Sequence, residues 1–255
     1  MQCQHHLCDD SSRPAGHWSQ LESFVNATHR GDDERSYHHG DLRKALLQTC
    51  CEHIACQGTE GLSLRALARQ AGVSPTAPYR HFDSRQALLA ALATEGFEEL
   101  AESMAAADRD DPIEALFECG RNYIRYAEAN PVKYHLMFGD VIGDFSGHEA
   151  LFEAARHCYA LLEAKLVNGQ ESGALRGGDV RELGGTVWAM VHGLAGLVIT
   201  ARSKAAQAPL ADIMEIPPLR AQQAVADAPE RALLRLMEGL ISNPADLEVL
   251  WKRWR

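Results

Sequence analysis

The chain is short of the features that announce catalysis, a membrane or a β-fold. No segment alternates apolar and polar residues as a half-buried strand does, which sets aside sandwiches, barrels and wound sheets. It has no G-x-S-x-G elbow, no P-loop, no G-x-G-x-x-G following a strand and no H-E-x-x-H helix. The carboxylates fall where a solvated helix face puts them, so no catalytic centre is visible. Positive charge is in deficit, with 25 Lys and Arg against 35 Asp and Glu for a net of -10. That excludes a chain that coats nucleic acid by bulk charge. The most apolar run, Val187 to Thr200, contains His192, Gly193 and Gly196 and falls short of the roughly 20 apolar residues a membrane span needs. No secretory apolar stretch precedes the 7 cysteines (3, 8, 50, 51, 56, 119 and 158), whose odd number reads as reduced thiols in a cytoplasm. Cys3, His5, His6 and Cys8 form one half of a zinc pattern with no second half after it. No metal and no cofactor are expected.

What is present is an ordinary globular composition of 255 residues, 46% apolar and 24% charged. Residues 1–36 are polar, without apolar periodicity, and read as a flexible extension. From Asp41 the grammar turns helical, with Leu42, Leu46, Cys50 and Ile54 on one face and Gly58 as a stop. Ser63 is placed to cap a helix through Leu64 and Leu67 that ends at Ala71-Gly72-Val73. Ser74 is placed to cap a third, short helix to about Phe82, with Pro75 at its first position. Asp83 opens a helix with Leu88, Leu89 and Leu92, and Asp111-Pro112 opens another through Tyr123 and Ile124. Asn130-Pro131 starts a short helix to Phe138, Gly147 to Asn168 reads as a long helix closed by Gly169, and Asp179 caps one to about Ser203. The stretch 204–227, with Pro209 and Pro217-Pro218, reads as a loop or linker. Pro229 to Ile241 and Pro244 to Trp254 close the chain as helices. The expectation is an all-α protein.

One segment differs in charge from its surroundings. Between Tyr37 and Ala90 six Arg and Lys face four acids, while both flanks are acidic. Within it, SLRALARQAGVSPTAPYRHF (63–82) is two short helices joined by a glycine turn, the layout of a helix-turn-helix. The first helix would pack across the second and leave it free for a DNA major groove. Thr76 can exchange hydrogen bonds with base edges and touch a thymine methyl, and small Ala77 allows close approach. Tyr79, Arg80 and His81 suit phosphates, which position without reading sequence. Helix starts near Ser63 with Arg65, Ser74 with Pro75, and Asp83 to Arg85 add free N–H groups for phosphate oxygens.

These residues carry a resemblance. YHHGDLRKALL followed by GLSLRALARQAGVSPTAPYRHFDSRQALLAALA is similar, in order and spacing across residues 37–93, to the N-terminal domain of TetR-family transcriptional regulators. The pattern from Gly61 to Phe82 is its most specific part. The resemblance implies that Tyr79 and His81 contact the DNA backbone, that the Ser74 to Arg80 helix reads bases, and that Phe82 belongs to the core. Arg85 stands where the family usually has Lys. NPVKYHLMFG (130–139) and WAMVHGLAGL (188–197) resemble the subgroup whose ligand domain carries a Trp-His-Gly signature.

The resemblance implies an N-terminal three-helix helix-turn-helix domain (37–84) and a helical effector-binding and dimerisation domain (85–243); the helical tail (244–255), like the leader, departs from the usual family length and inherits no role. The expected partners are double-stranded operator DNA, a small-molecule effector, and a second copy of the chain through the helices at about 180–203 and 229–241. No membrane is expected. Glycines 184, 185, 193 and 196 suggest close helix contact on the first of these, and Leu233, Leu236, Met237 and Leu240 supply a stripe on the second. Paired heads would sit about one DNA turn, roughly 34 Å, apart on a palindrome. Phe117, Tyr123, Tyr134, Met137, Phe138, Phe152, Trp188 and His192 are the candidate effector wall. Each also reads as plain core, His192 above all as a core histidine bridging two helices. Repression relieved by effector is the expected logic. The alternative is a small-molecule-binding helical protein or enzyme that no longer uses its helix-turn-helix. A thiol sensor is disfavoured, since Cys50 and Cys51 point about 100° apart on a helix. The tail LEVLWKRWR is expected to pack back on the body.

Overall fold

The computed structural model describes residues 33–142, 147–205 and 216–254. Among these every regular element is helical, and the one β feature is an isolated bridge between Leu175 and Ile241. The half-site at Cys3, His5, His6 and Cys8 and residues 1–32 of the expected extension lie outside the described residues. Two compact units divide at Leu89 and Ala90.

In the first unit α1 spans Asp33–Gln57, so it begins inside the stretch expected to be extension. Its buried face is Leu46, Leu47, Cys50 and His53. Cys50, Cys51, Cys119 and Cys158 are free. Cys56 is in a disulfide, which corrects the reading of all seven cysteines as reduced thiols. Helix α2 (Leu64–Gln70) starts where Ser63 Oγ accepts the Ala66 N–H at 3.2 Å, satisfying one of the orphan donors of a helix start. It ends in a Schellman turn. Gly72 sits at φ 69, its N–H reaches Arg69 O at 3.3 Å, and the Val73 N–H reaches Ala68 O at 2.9 Å. A side chain at that φ would clash with its own carbonyl, and glycine has none.

The third helix differs from expectation. Instead of an α-helix from Ser74, a single 3-10 turn forms at Ala77–Arg80, with Thr76 at its start and no side-chain cap. The cause is Pro78, which has no N–H to pair with the Ser74 carbonyl four residues back. Ser74 O takes the Ala77 N–H at 3.0 Å instead, the i to i+3 pattern of the tighter helix. Helix α3 (Arg85–Ala105) then begins on Ser84, whose hydroxyl accepts the Ala87 N–H at 3.0 Å, one residue beyond the expected Asp83.

The second unit is built on α4 (Pro112–Ala129), α5 (Pro131–Phe138), α6 (Glu149–Glu171), α7 (Val180–Ala205), α8 (Pro217–Asp227), α9 (Pro229–Glu238) and α10 (Glu248–Trp254). Asp111 starts α4 by accepting the N–H groups of Ile113 (2.7 Å) and Glu114 (3.2 Å), with Pro112 at the position where a missing N–H costs nothing. Helix α4 packs against α5, α6, α7 and α9, and α7 against α4, α6, α8 and α9. The loop expected over 204–227 is overturned from Pro217 onward. Pro217-Pro218 lies at the start of α8, where proline favours a helix rather than breaking it.

Gly169 is not the stop of α6, which runs on to Glu171. Leu175 folds back there, and a Cβ on Gly169 would lie 2.5 Å from its Cδ1. Gly184 shows the expected close approach, with the Tyr159 hydroxyl 2.8 Å from where its Cβ would stand, whereas Gly185, Gly193 and Gly196 meet nothing within 4 Å in the subunit. Beyond α9, Arg176 N–H bonds Leu240 O and Ser242 N–H bonds Ala174 O, both at 2.9 Å. The tail lies on the body: Leu247 and Leu250 are buried, Arg253 pairs with Glu114 at 2.6 Å, and the Arg235 guanidinium sits 4.7 Å over the Trp251 ring. By length and composition Val180–Ser203 is apolar enough to cross a membrane, contrary to the shorter run read from Val187 to Thr200. Val187, Val191, Ala195 and Val198 are buried within the subunit.

Candidate nucleic-acid interface and effector cavity

All ten residues expected at DNA lie in the first unit. Ser63, Arg65, Ser74, Pro75, Thr76, Tyr79 and Arg80 are exposed, and Ala77, His81 and Arg85 are half-buried. Tyr79 is 48% exposed. The surface is braced from below. Pro78 and Phe82 are buried, and the Arg43 guanidinium lies 5.6 Å over the Phe82 ring. Ser74 Oγ and Thr76 Oγ1 are 3.3 Å apart. Arg85 donates to the Thr59 carbonyl at 3.1 Å, so its guanidinium is partly committed to the scaffold.

Sequence reasoning passed over His53. It is buried on α1, its Nδ1 3.3 Å from Gln70 Nε2 and its Nε2 3.3 Å from the Glu60 carbonyl. Gln70 can only donate from that nitrogen, so the ring accepts at Nδ1 and donates from Nε2. The ring ties α1 to the end of α2.

The second unit holds a cavity of about 220 Å³. Its walls are Phe97 and Met104 of α3, Leu116, Cys119, Gly120 and Tyr123 of α4, Phe138 at the end of α5, Ala155, Cys158, Tyr159 and Leu162 of α6, Val187, Trp188 and Val191 of α7, and Leu233, Leu236 and Met237 of α9, with Leu240 beyond. Of the expected wall, Tyr123, Phe138 and Trp188 line it. Phe117, Tyr134, Met137 and His192 do not, and Phe152 is 53% exposed on α6. Of the expected stripe on and just after α9, Leu233, Met237 and Leu240 are buried within the subunit and Leu236 is half-buried, and all four border the cavity.

Behind the cavity stands a polar knot. His192 Nδ1 lies 2.7 Å from the Tyr134 hydroxyl and 3.1 Å from that of Tyr123, and the two hydroxyls are 3.4 Å apart. Rings close around it, with His192 stacked on Tyr134 at 5.3 Å, edge-on to Phe138 at 4.7 Å and 5.3 Å from Trp188. Burial pushes the Tyr134 phenol up to about 12, raises Tyr123 further with help from Tyr134, and holds His192 below its usual value. All three are therefore neutral at physiological pH. Burial likewise pushes the Cys119 thiol up to about 11 and Cys158 to about 12, so both wall cysteines are protonated and poor nucleophiles. Cys158 Sγ lies 3.7 Å from Met104 Sδ. Among the described residues no group of three or more His, Cys, Asp or Glu is placed to hold a metal.

Comparison with known proteins places both units. Residues 46–92 match the family model for bacterial regulatory proteins of the tetR family, and residues 116–216 match that for the tetracyclin repressor-like C-terminal domain. The two together span more than half of the chain. The HTH-type transcriptional regulator Rv1816 of Mycobacterium tuberculosis is 33% identical over 90 residues, which are 33% of this chain and 38% of that protein. The match thus spans well under two thirds of the relative. A solved structure of a protein of unknown function from Rhodococcus sp. RHA1 is 28% identical, with a TM-score of 0.58 over 81% of this chain and 97% of that one. The TetR family transcriptional regulator PfmR from Thermus thermophilus shares the fold at 23% identity, with a TM-score of 0.54 over 73% of this chain and 97% of its own.

Proposed function

Since the chain belongs to the TetR family of transcriptional regulators, we propose that it binds an operator in double-stranded DNA through the surface around Thr76 and Tyr79, and releases it when a small molecule occupies the cavity of the second unit. The observation that carries this reading is the exposed row Ser74, Thr76, Tyr79 and Arg80, set on a hairpin fixed by Ser63 and Gly72, in a net-positive segment with acidic flanks. Thr76 reads base edges, and Tyr79, Arg80 and Arg65 hold phosphates. No enzymatic step enters, and the setting is the cytoplasm.

The working form is a homodimer on a palindrome. Helix α7 supports this, because it exposes Met190 (51%) and Leu197 (45%) beside Gly193 and Gly196, whose Cβ positions are open. An apolar strip with two glycines admits close approach of a second helix. With α9 turned inward, α7 carries more of that contact than the sequence suggested. The Trp-His-Gly subgroup is retained in this reading on Trp188, His192 and Gly193, the first two of which meet ring to ring.

The test is fluorescence anisotropy of the full chain on labelled DNA from upstream of its own coding sequence, with scrambled competitor and a salt titration. Competitor-resistant binding that weakens steeply with salt is expected. Equal affinity for the native and scrambled DNA, here and in a genome-wide pull-down, overturns the reading.

A further inference from the structure

We propose that the occupant of the cavity is a small, uncharged, largely aromatic molecule with one oxygen that accepts a hydrogen bond from the Tyr123 hydroxyl. The inference rests on the reading of this cavity as the effector site and deepens it.

Charge decides the class. None of the described residues lining the cavity is Asp, Glu, Lys, Arg or His. Lys165 is close enough for its field to act on Cys119 against the larger effect of burial, but it is not in the wall. A carboxylate or phosphate brought in would lose its water and find no cation. An ammonium would find no acid. Size bounds the occupant too, since about 220 Å³ is below the roughly 300–1,000 Å³ usual for drug-sized ligands. Ring faces and edges from Phe97, Phe138 and Trp188 suit an aromatic body, because offset and edge-to-face pairs add to plain burial.

The polar knot decides the tip. His192 Nδ1 has one lone pair, and two phenols compete for it. Tyr134 stands nearer, at 2.7 Å against 3.1 Å for Tyr123. Tyr134 also reaches the His192 carbonyl, at 3.3 Å; Tyr123 is held only by the longer contacts, 3.1 Å to Nδ1 and 3.4 Å to the Tyr134 hydroxyl, and it is the member of the three that lines the cavity. A hydrogen bond from the Trp188 side chain acts on the same phenol, so what this corner offers an occupant is the Tyr123 proton, held within the subunit by long contacts. A carbonyl, hydroxyl or ether oxygen in the cavity takes that proton at a shorter distance, and a hydrocarbon leaves it where it is.

The experiment is calorimetric titration of the full chain, without DNA, with three probes sharing one skeleton: naphthaldehyde, methylnaphthalene and naphthoate. The aldehyde is expected to bind most tightly, and naphthoate at least about a hundredfold more weakly, reflecting the buried, unpaired anion. Tyr123→Phe is expected to weaken the aldehyde about tenfold, the value of one net hydrogen bond, and to leave methylnaphthalene within about twofold. Naphthoate binding as tightly as the aldehyde overturns the proposal. So does an equal change for aldehyde and hydrocarbon in Tyr123→Phe, and so does the absence of binding by all three to a chain that still unfolds cooperatively. Because no DNA is present, this failure is separate from failure to find an operator, which strikes the regulator reading itself.

Discussion

The Tyr134 hydroxyl stands 2.7 Å from His192 Nδ1, joining α5 to α7 through neutral groups. The histidine is held below its ordinary value of 6.5 by burial, so folding favours its uncharged form. The contribution is complete above the unfolded value and is lost as pH falls below 6.5 through the lower folded one. Thermal unfolding followed across that range is expected to show the wild type losing more stability than His192→Gln. Parallel curves would remove His192 from the account. His192→Ala at neutral pH leaves buried phenols without their acceptor, at about 1–3 kcal/mol.

Gly72 makes a backbone test free of packing. Its φ is 69 and nothing lies within 4 Å of a Cβ built there. Gly72→Ala is expected to cost about 1–2 kcal/mol in urea unfolding and Gly72→Asn clearly less, because Asn tolerates that conformation. Equal losses would point to something other than the left-handed turn.

Tyr79 and Thr76 are expected to separate in their effects on DNA. Tyr79→Phe should weaken operator and scrambled DNA in the same proportion, while Thr76→Val should change their ratio. Anisotropy on both DNAs checks this, and a ratio that moves with Tyr79 and stays fixed with Thr76 reverses the assignment.

Met190→Glu and Leu197→Glu place charge on the exposed strip of α7, away from the cavity wall. Sedimentation is expected to show a dimer shifted toward monomer, with thermal stability within about 0.5 kcal/mol of wild type when extrapolated to subunit level, as for ordinary surface changes. A dimer unchanged by both substitutions puts the interface elsewhere.

Helix starts were legible because capping is local. Ser63, Asp111 and the Asn130-Pro131 step stand where their side chains or rings settle the first turn, whatever packs around them. Prolines were read less well, since the same residue opens α8 at Pro217 and withholds an N–H within the recognition turn at Pro78. Only the carbonyl four residues earlier tells the two apart. The exposed row Ser74, Thr76, Tyr79 and Arg80 follows from a short motif. The cavity does not, because periodicity reports which side chains are inward and says nothing of where they fail to meet. Phe117 and Tyr123 are both buried side chains of α4, yet of the two only Tyr123 borders the void. Phe97, Met104 and the α9 wall were missed for the same reason.

One wall of the cavity, Leu233, Leu236 and Met237, is written near the end of the chain, after every other wall has been made. During synthesis Tyr123 and Trp188 therefore emerge before this wall exists, and the chamber closes only once α9 has left the ribosome. A premature stop after α8 spares the whole first unit and deletes that wall. The product of such a lesion keeps the hairpin and loses the chamber, and in the function proposed above it parts the DNA surface from whatever the chamber senses.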